Sequence, residues 1–169
     1  MPVASIRVRQ ARDGDRTALT ALHEREWGGP IVVVHDTRYD LRDLPALVAV
    51  DGDAAFAGAL VYRVDADGLE VVSLAASTPG TGAGSALLAA AEEVAAAAGA
   101  ARIWLVTTND NLGALRFYQR RGLRIVAVDT GAADRARAVK PTIPHVGADG
   151  IPLHDELRLS RHLIRAGNP

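Results

Sequence analysis

Residues 77–88, Ser-Thr-Pro-Gly-Thr-Gly-Ala-Gly-Ser-Ala-Leu-Leu, place glycines at 80, 82 and 84 directly ahead of an Ala/Leu-rich run. A glycine turn that closes a strand and opens a helix is suited to binding an anion. The first N–H groups of a helix have no intrahelical partners, and the helix dipole leaves partial positive charge around them. Residues without a Cβ let phosphate oxygens come against the backbone. Gly80, Thr81, Gly82, Ala83, Gly84 and Ser85 are therefore the expected cradle of a pyrophosphate, through their amides and the hydroxyls of Thr81 and Ser85. Taken alone, such a turn can also do no more than join a strand to a helix.

A second stretch lies one strand downstream, Thr107 to Leu123, reading TTNDNLGALRFYQRRGL. On a helix Asn111, Ala114 and Tyr118 fall on one face, since they are three and seven positions apart. Asn111 can cap the helix or bind an amide, Ala114 offers a small surface for a thin chain, and Tyr118 presents a phenol. Phe117 is expected to face the core. Among phosphate binders, a Walker P-loop requires a Gly-Lys-Ser/Thr that is absent here. A dinucleotide turn follows the first strand, whereas this one follows about four. A methyltransferase motif meets the same objection, although Asp110 could imitate its ribose-binding acid.

Together the two stretches resemble the GNAT superfamily of acetyl-CoA-dependent N-acetyltransferases. The likeness consists of glycine turn, helix, strand, then Asn-x-x-Ala-x-x-Phe-Tyr-x-x-x-Gly, and is closest from Glu70 to Leu123. The tail KPTIPHVGADGIPLHDE is similar to that of a GNAT subgroup with unassigned substrates. One departure matters: the family's glycine signature usually begins with Arg or Gln, where this chain has Pro79. A further basic residue often stands where Thr81 stands here, so weaker cofactor affinity is expected.

The resemblance implies an α/β GNAT fold, with a mixed, mostly antiparallel central sheet of six to seven strands. About four helices would flank it, and two strands would splay apart at the cofactor site. It implies acetyl-CoA as acyl donor, its pantetheine arm pairing with Val71 to Ala76 through the backbone of Leu74, Ala75 and Ala76. One N–H there would polarise the thioester carbonyl. With no cysteine in the chain, direct attack by a bound amine is favoured over an acyl-enzyme. Tyr118 is the expected acid, since a phenol of about 10 donates to a thiolate of about 8.5 only modestly uphill. Glu70 is the candidate base, acting through water, at a strand end where glutamates are ordinarily solvated.

Trp27, His35 and Asp36 are candidates for contact with the acceptor, a small-molecule or protein amine. Glu70, Asp36 and Asp155 would suit a cation if they line one pocket. Arg120 and Arg121 could help hold a cofactor phosphate. His154 and Glu156 share a strand face but leave a metal at least one ligand short, so no metal is expected. Members of the family are often dimers, which puts a homodimer among the expectations. From other classes, a non-catalytic acyl-CoA-binding module and an S-adenosylmethionine or NAD enzyme are the competing readings.

The elements that must position these residues are legible in outline. A first strand runs from Ser5 to Gln10, and Asp13 is expected to cap a helix reaching Trp27, stopped by Gly28, Gly29 and Pro30. A loop is expected from Val34 to Pro45. Three strands follow as a meander, Ala46–Val50, Ala54–Val64 and Leu69–Ala76, joined by Asp-Gly-Asp and Asp-Ala-Asp-Gly turns. The pattern then alternates between helices (Gly84–Ala98, Asn111–Arg121, Ala132–Val139) and strands (Arg102–Thr107, Leu123–Val128, Glu156–Leu163). Lys140 to Asp155 reads as a structured loop.

At 169 residues the chain is expected to form a single domain, 1–169. Only 4% of residues are aromatic against 49% hydrophobic, so the core must be aliphatic. A net charge of -1 with no basic block excludes nucleic acid and acidic membranes as expected partners. The opening residues lack the apolar core of an export signal, and no run is long enough to span a bilayer, which points to the cytoplasm.

Overall fold

The computed structural model describes residues 5–164; the ends of the predicted 1–169 domain, residues 1–4 and 165–169, lie outside it. Strand β1 (Arg7–Gln10) leads through a 3-10 turn into helix α1 (Arg16–Trp27). The predicted cap at Asp13 is displaced to Asp15. The carboxylate of Asp15 makes no cap bond to α1; it pairs with Arg9 at 2.7 Å and accepts the Arg12 amide in the capping box of the 3-10 turn, tying the turn back to β1. Gly28 ends α1 in the left-handed conformation, φ +70.

The expected loop from Val34 to Pro45 is instead a hairpin, β2 (Ile31–Val34) and β3 (Thr37–Asp40), followed by a single 3-10 turn. Its two-residue turn is His35-Asp36, both at positive φ (+40 and +58). Such turns are usually made by Asn-Gly or Asp-Gly, so the sequence carries no hairpin signal there.

The meander forms as expected: β4 (Ala46–Val50), β5 (Phe56–Asp65) and β6 (Gly68–Ala76), paired antiparallel in sequence. Its turns are set by aspartates. Asp51 accepts the amides of Asp53 and Ala55, and Asp65 accepts that of Asp67. Helix α2 (Ala83–Ala97) then leads to β7 (Arg102–Thr108), helix α3 (Leu112–Arg120), β8 (Arg124–Asp129), helix α4 (Ala132–Val139) and β9 (Glu156–His162). The main sheet has seven strands in the order β1-β4-β5-β6-β7-β9-β8. Every neighbouring pair is antiparallel except β6 with β7.

The core follows the composition. Leu87, Leu88, Ala91 and Ala95 form the buried face of α2, which lies against β4, β5 and β6. Small alanines on that face let the helix axis approach the sheet closely, because interaxial spacing is set by the side chains at the contact. A smaller cluster gathers Val32, Tyr39, Leu41, Ala46 and Val61 between the hairpin and strands β4 and β5. Lys140 fastens this region, donating from Nζ to the carbonyls of Trp27 and Ile31 at 2.7 Å each. No helix among the described residues is long and apolar enough to cross a membrane.

Candidate active site

The sheet opens where β6 meets β7. The two strands pair only at Leu69 with Ile103 and Glu70 with Trp104, although β6 continues to Ala76 and β7 to Thr108. The cause is visible in β6: opposite β5, Val61 pairs with Ser73 and Tyr62 with Val71, leaving Val72 as one extra residue. A bulge bends its own strand and raises the local twist. Just past the last β6–β7 rung, it swings Leu74 to Ala76 away from β7 while their pairing to β5 holds. The splay expected at this site is therefore present, and it leaves one edge of β6 without a strand partner.

A cavity of about 630 Å³ fills that opening. Leu74, Ala75 and Ala76 line it on one side, residues 79–85 on a second, and Asn111, Gly113, Ala114, Phe117, Tyr118 and Arg121 on a third. Apart from Arg120, the residues expected to hold a cofactor are thus brought to one cleft. Gly82 precedes α2 at φ +85 and Gly80 sits at φ +78. A Cβ on either would meet no protein atom within 4 Å, so the turn needs these two for their left-handed backbone. Gly84 has a different reason: a Cβ there would stand 3.3 Å from the Phe117 ring.

Both hydroxyls of the expected cradle also have partners within the protein. The Thr81 hydroxyl is engaged in the turn, donating to the Thr78 carbonyl at 3.1 Å. That of Ser85 accepts from the Arg121 guanidinium, at 3.2 Å from Nε and closer from Nη2. The same guanidinium lies 3.6 Å over the Phe117 ring and donates to the Phe117 carbonyl at 2.9 Å. Stacked and bonded in this way, Arg121 puts a fixed cation at the glycine turn, while Arg120 is exposed outside the cleft. Phe117, expected in the core, is half-buried and lines the cleft beside Tyr118, its ring set edge-on at 5.1 Å.

Asn111 caps α3 by accepting the Ala114 amide at 3.2 Å, which aligns the helix with the cleft. Tyr118, 7% exposed, faces the cavity from two turns along. Burial raises its phenol well above the ordinary value, because a phenolate there would be poorly solvated. Donation from a phenol so raised is more steeply uphill than that expected of an ordinary one.

Glu70 departs furthest from expectation. It is 2% exposed rather than solvated, and both oxygens are occupied. Oε1 lies 2.5 Å from His35 Nε2, and Oε2 accepts from the Tyr39 hydroxyl at 2.9 Å. Arg63 donates to the same hydroxyl at 3.0 Å and stands 3.9 Å from Oε2. Two consecutive non-glycine residues at positive φ, His35 and Asp36, cost of order 1 kcal/mol each. The turn holds because Glu156 Oε1 accepts the His35 amide at 2.9 Å and Asp36 is bound by Arg135 at 2.9 Å.

A smaller cavity of about 290 Å³ opens beside His35, walled by Val106, Ala127, Val128, Asp129, Glu156 and Arg158. Glu156 is buried, and desolvation raises its carboxyl above the usual range, with Asp129 and Asp36 adding to the rise. The other expected acceptor residues are not brought here. Trp27 lines neither cavity and packs against the cluster under the hairpin. Asp36 is exposed and committed to Arg135, and Asp155 accepts the Gly131 amide, so Glu70, Asp36 and Asp155 do not share a pocket. His154 pairs with Asp134, away from Glu156. Among the described residues no three His, Cys, Asp or Glu side chains cluster as metal ligands would.

Comparison with known proteins agrees with this geometry. A family model described as the acetyltransferase (GNAT) family matches residues 11–123. The uncharacterized protein YdhI of Bacillus subtilis is 36% identical over 143 residues, 85% of this chain and 89% of its own length. Among solved structures, a GNAT family acetyltransferase from Elizabethkingia anophelis with acetyl-CoA bound superposes with a TM-score of 0.69 at 20% identity, covering 94% of this chain and 98% of its own. An acetyltransferase of Bacillus subtilis in complex with CoA gives 0.68 at 20% identity, covering 95% and 100%.

Proposed function

Since the chain belongs to the acetyltransferase (GNAT) family, we propose that it is a single-domain cytoplasmic enzyme that transfers the acetyl group of acetyl-CoA to a primary amine, by direct attack within a ternary complex. The observation that carries this reading is the single cleft uniting the open edge of β6, the glycine turn and the Tyr118 phenol. The amides at the start of α2 and the Arg121 guanidinium would hold the pyrophosphate, and Leu74 to Ala76 would pair with the pantetheine arm. The unpaired donors of that strand would also polarise the thioester carbonyl, stabilising the oxyanion as it forms.

Tyr118 is the acid for the departing thiolate. Its raised phenol holds the proton until sulfur becomes negative and then releases it as the C–S bond breaks. Glu70 serves the opposite side of the reaction, where the amine must lose a proton before it can attack. The cysteine-free chain offers no thiol for an acyl-enzyme. The acceptor is a small-molecule or protein amine.

The direct test is release of free CoA thiol from acetyl-CoA across a panel of primary amines, with the acetylated product identified by mass. Amine-dependent release is expected. Tight CoA binding without release to any amine would favour a sensing module. Stabilisation by S-adenosylmethionine or NAD, and not by CoA, would overturn the assignment.

Arg121 puts a guanidinium beside the glycine turn, where Pro79 and Thr81 supply no charge. Arg121→Ala is expected to weaken CoA binding about 10-fold in calorimetric titration, as loss of charge-assisted hydrogen bonds does. The gap between the two proteins should narrow at high salt. Equal dissociation constants would show that the α2 amides suffice alone.

A further inference from the structure

We infer that the smaller cavity receives the amine and that His35 Nδ1 takes its proton, with Glu70 acting only through the imidazole. This rests on the acetyl-transfer reading and assigns its proton acceptor. A carboxylate that is 2% exposed, with one oxygen on His35 and the other on Tyr39, reaches neither an amine nor a water in the cleft. His35, its side chain 27% exposed, is the member of that network that lines the smaller cavity.

The ring is held in one role. With the Nε2 proton directed at Glu70 Oε1, the lone pair lies on Nδ1. The Thr37 hydroxyl is 3.3 Å from Nδ1 and equally 3.3 Å from the His35 carbonyl, so it can donate to the carbonyl and leave Nδ1 to accept. Glu156 fixes the His35 amide from β9, Arg135 fixes the next residue from α4, and the imidazole packs on Trp104 at 5.3 Å.

Location follows from the sheet. Trp104 forms with Glu70 the last rung before β6 and β7 part. Beyond that rung Leu74 to Ala76 wall the larger cavity and Val106 walls the smaller. His35 is bonded to one residue of that last rung, Glu70, and packed on the other, Trp104. Carboxylates face it from three strands: Glu70 on β6, Glu156 on β9 and Asp129 on β8, with Asp36 in its own turn. Arg135 neutralises Asp36 and Asp129, Arg158 in the cavity wall stacks on Trp104, and Arg63 bonds Tyr39. Glu70, directly on the ring, balances positive charge passed to it.

The proton account closes. The ammonium gives one proton to Nδ1, and the freed nitrogen pair forms the C–N bond as the C–S bond breaks. The sulfur takes the Tyr118 proton, the second amine proton restores the phenol through water, and the imidazolium releases its proton to solvent.

The test is kcat/KM against pH for the wild type, His35→Gln and Glu70→Gln, using the best amine of the panel, with CoA affinity and melting temperature measured alongside. His35→Gln should lose about 100-fold in kcat/KM and lose the acid limb of the profile, with CoA affinity within about twofold. Glu70→Gln should keep the limb at a lower kcat/KM, and added imidazole should partly restore His35→Ala. A His35→Gln protein with the wild-type profile would overturn the assignment, as would Glu70→Gln abolishing the limb while His35→Gln keeps it. If His35→Gln fails to fold, His35→Asn carries the same comparison. A wild type silent with every amine would instead sink the acetyl-transfer reading and this assignment together.

Discussion

Tyr118→Phe is expected to lower kcat by about 10²–10³-fold while leaving the CoA dissociation constant within about threefold. The substitution removes one oxygen from a ring that the cleft already packs: Tyr118 is 7% exposed and lies edge-on to Phe117. The shape of the wall and the cap of α3 at Asn111 are untouched. What is lost is a proton that burial keeps on oxygen, available only to a charge developing beside it. Single-turnover measurements separate the two terms, since they follow C–S cleavage apart from product release. A phenylalanine variant with unchanged turnover would mean that the thiolate leaves unassisted, and Tyr118 would then be a wall residue only.

Gly58→Val should produce the second large effect, on the sheet rather than the chemistry. Gly58 pairs with Ala76 across β5 and β6. A Cβ there would stand 2.6 Å from the Ala75 carbonyl oxygen and 3.0 Å from the Ala76 Cα, both backbone atoms that cannot rotate aside. The end of β6 must therefore move, and that segment is a wall of the larger cavity. Overpacking of this kind costs about 1–3 kcal/mol, read as a fall of several degrees in melting temperature. CoA affinity should fall with it, even though residue 58 lies outside the cleft lining. Unchanged affinity in a folded variant would show that Ala75 and Ala76 need not hold their place for binding.

The local features were legible in the residues and the distant ones were not. The glycine turn, the α2 face and the Asn111–Ala114–Tyr118 stripe depend on neighbours within a few positions, and periodicity reports such neighbours directly. The α4 bounds, Ala132–Val139, agree with the sequence reading residue for residue. The hairpin of β2 and β3 was missed because its turn is His-Asp, held at positive φ by partners that no local pattern reveals. One of them, Glu156, lies 121 positions further along the chain. Burial of Glu70 has the same origin, since its partners His35 and Tyr39 sit 35 and 31 positions away. Phe117 packs against the core as read, but nothing local to its helix shows that its ring also comes against the turn at Gly84.

The single surplus residue at Val72 gives β6 two separate jobs along one continuous backbone. Ahead of it, Leu69 to Val71 are clamped by strands on both flanks or buried among them, so exchanges there should register in unfolding experiments. Behind it, Leu74 to Ala76 keep only one flank, and exchanges there should register in ligand titrations. Removing Val72 would merge the halves: the freed edge could rejoin β7, zipping shut the gap in which the acyl donor is meant to lie.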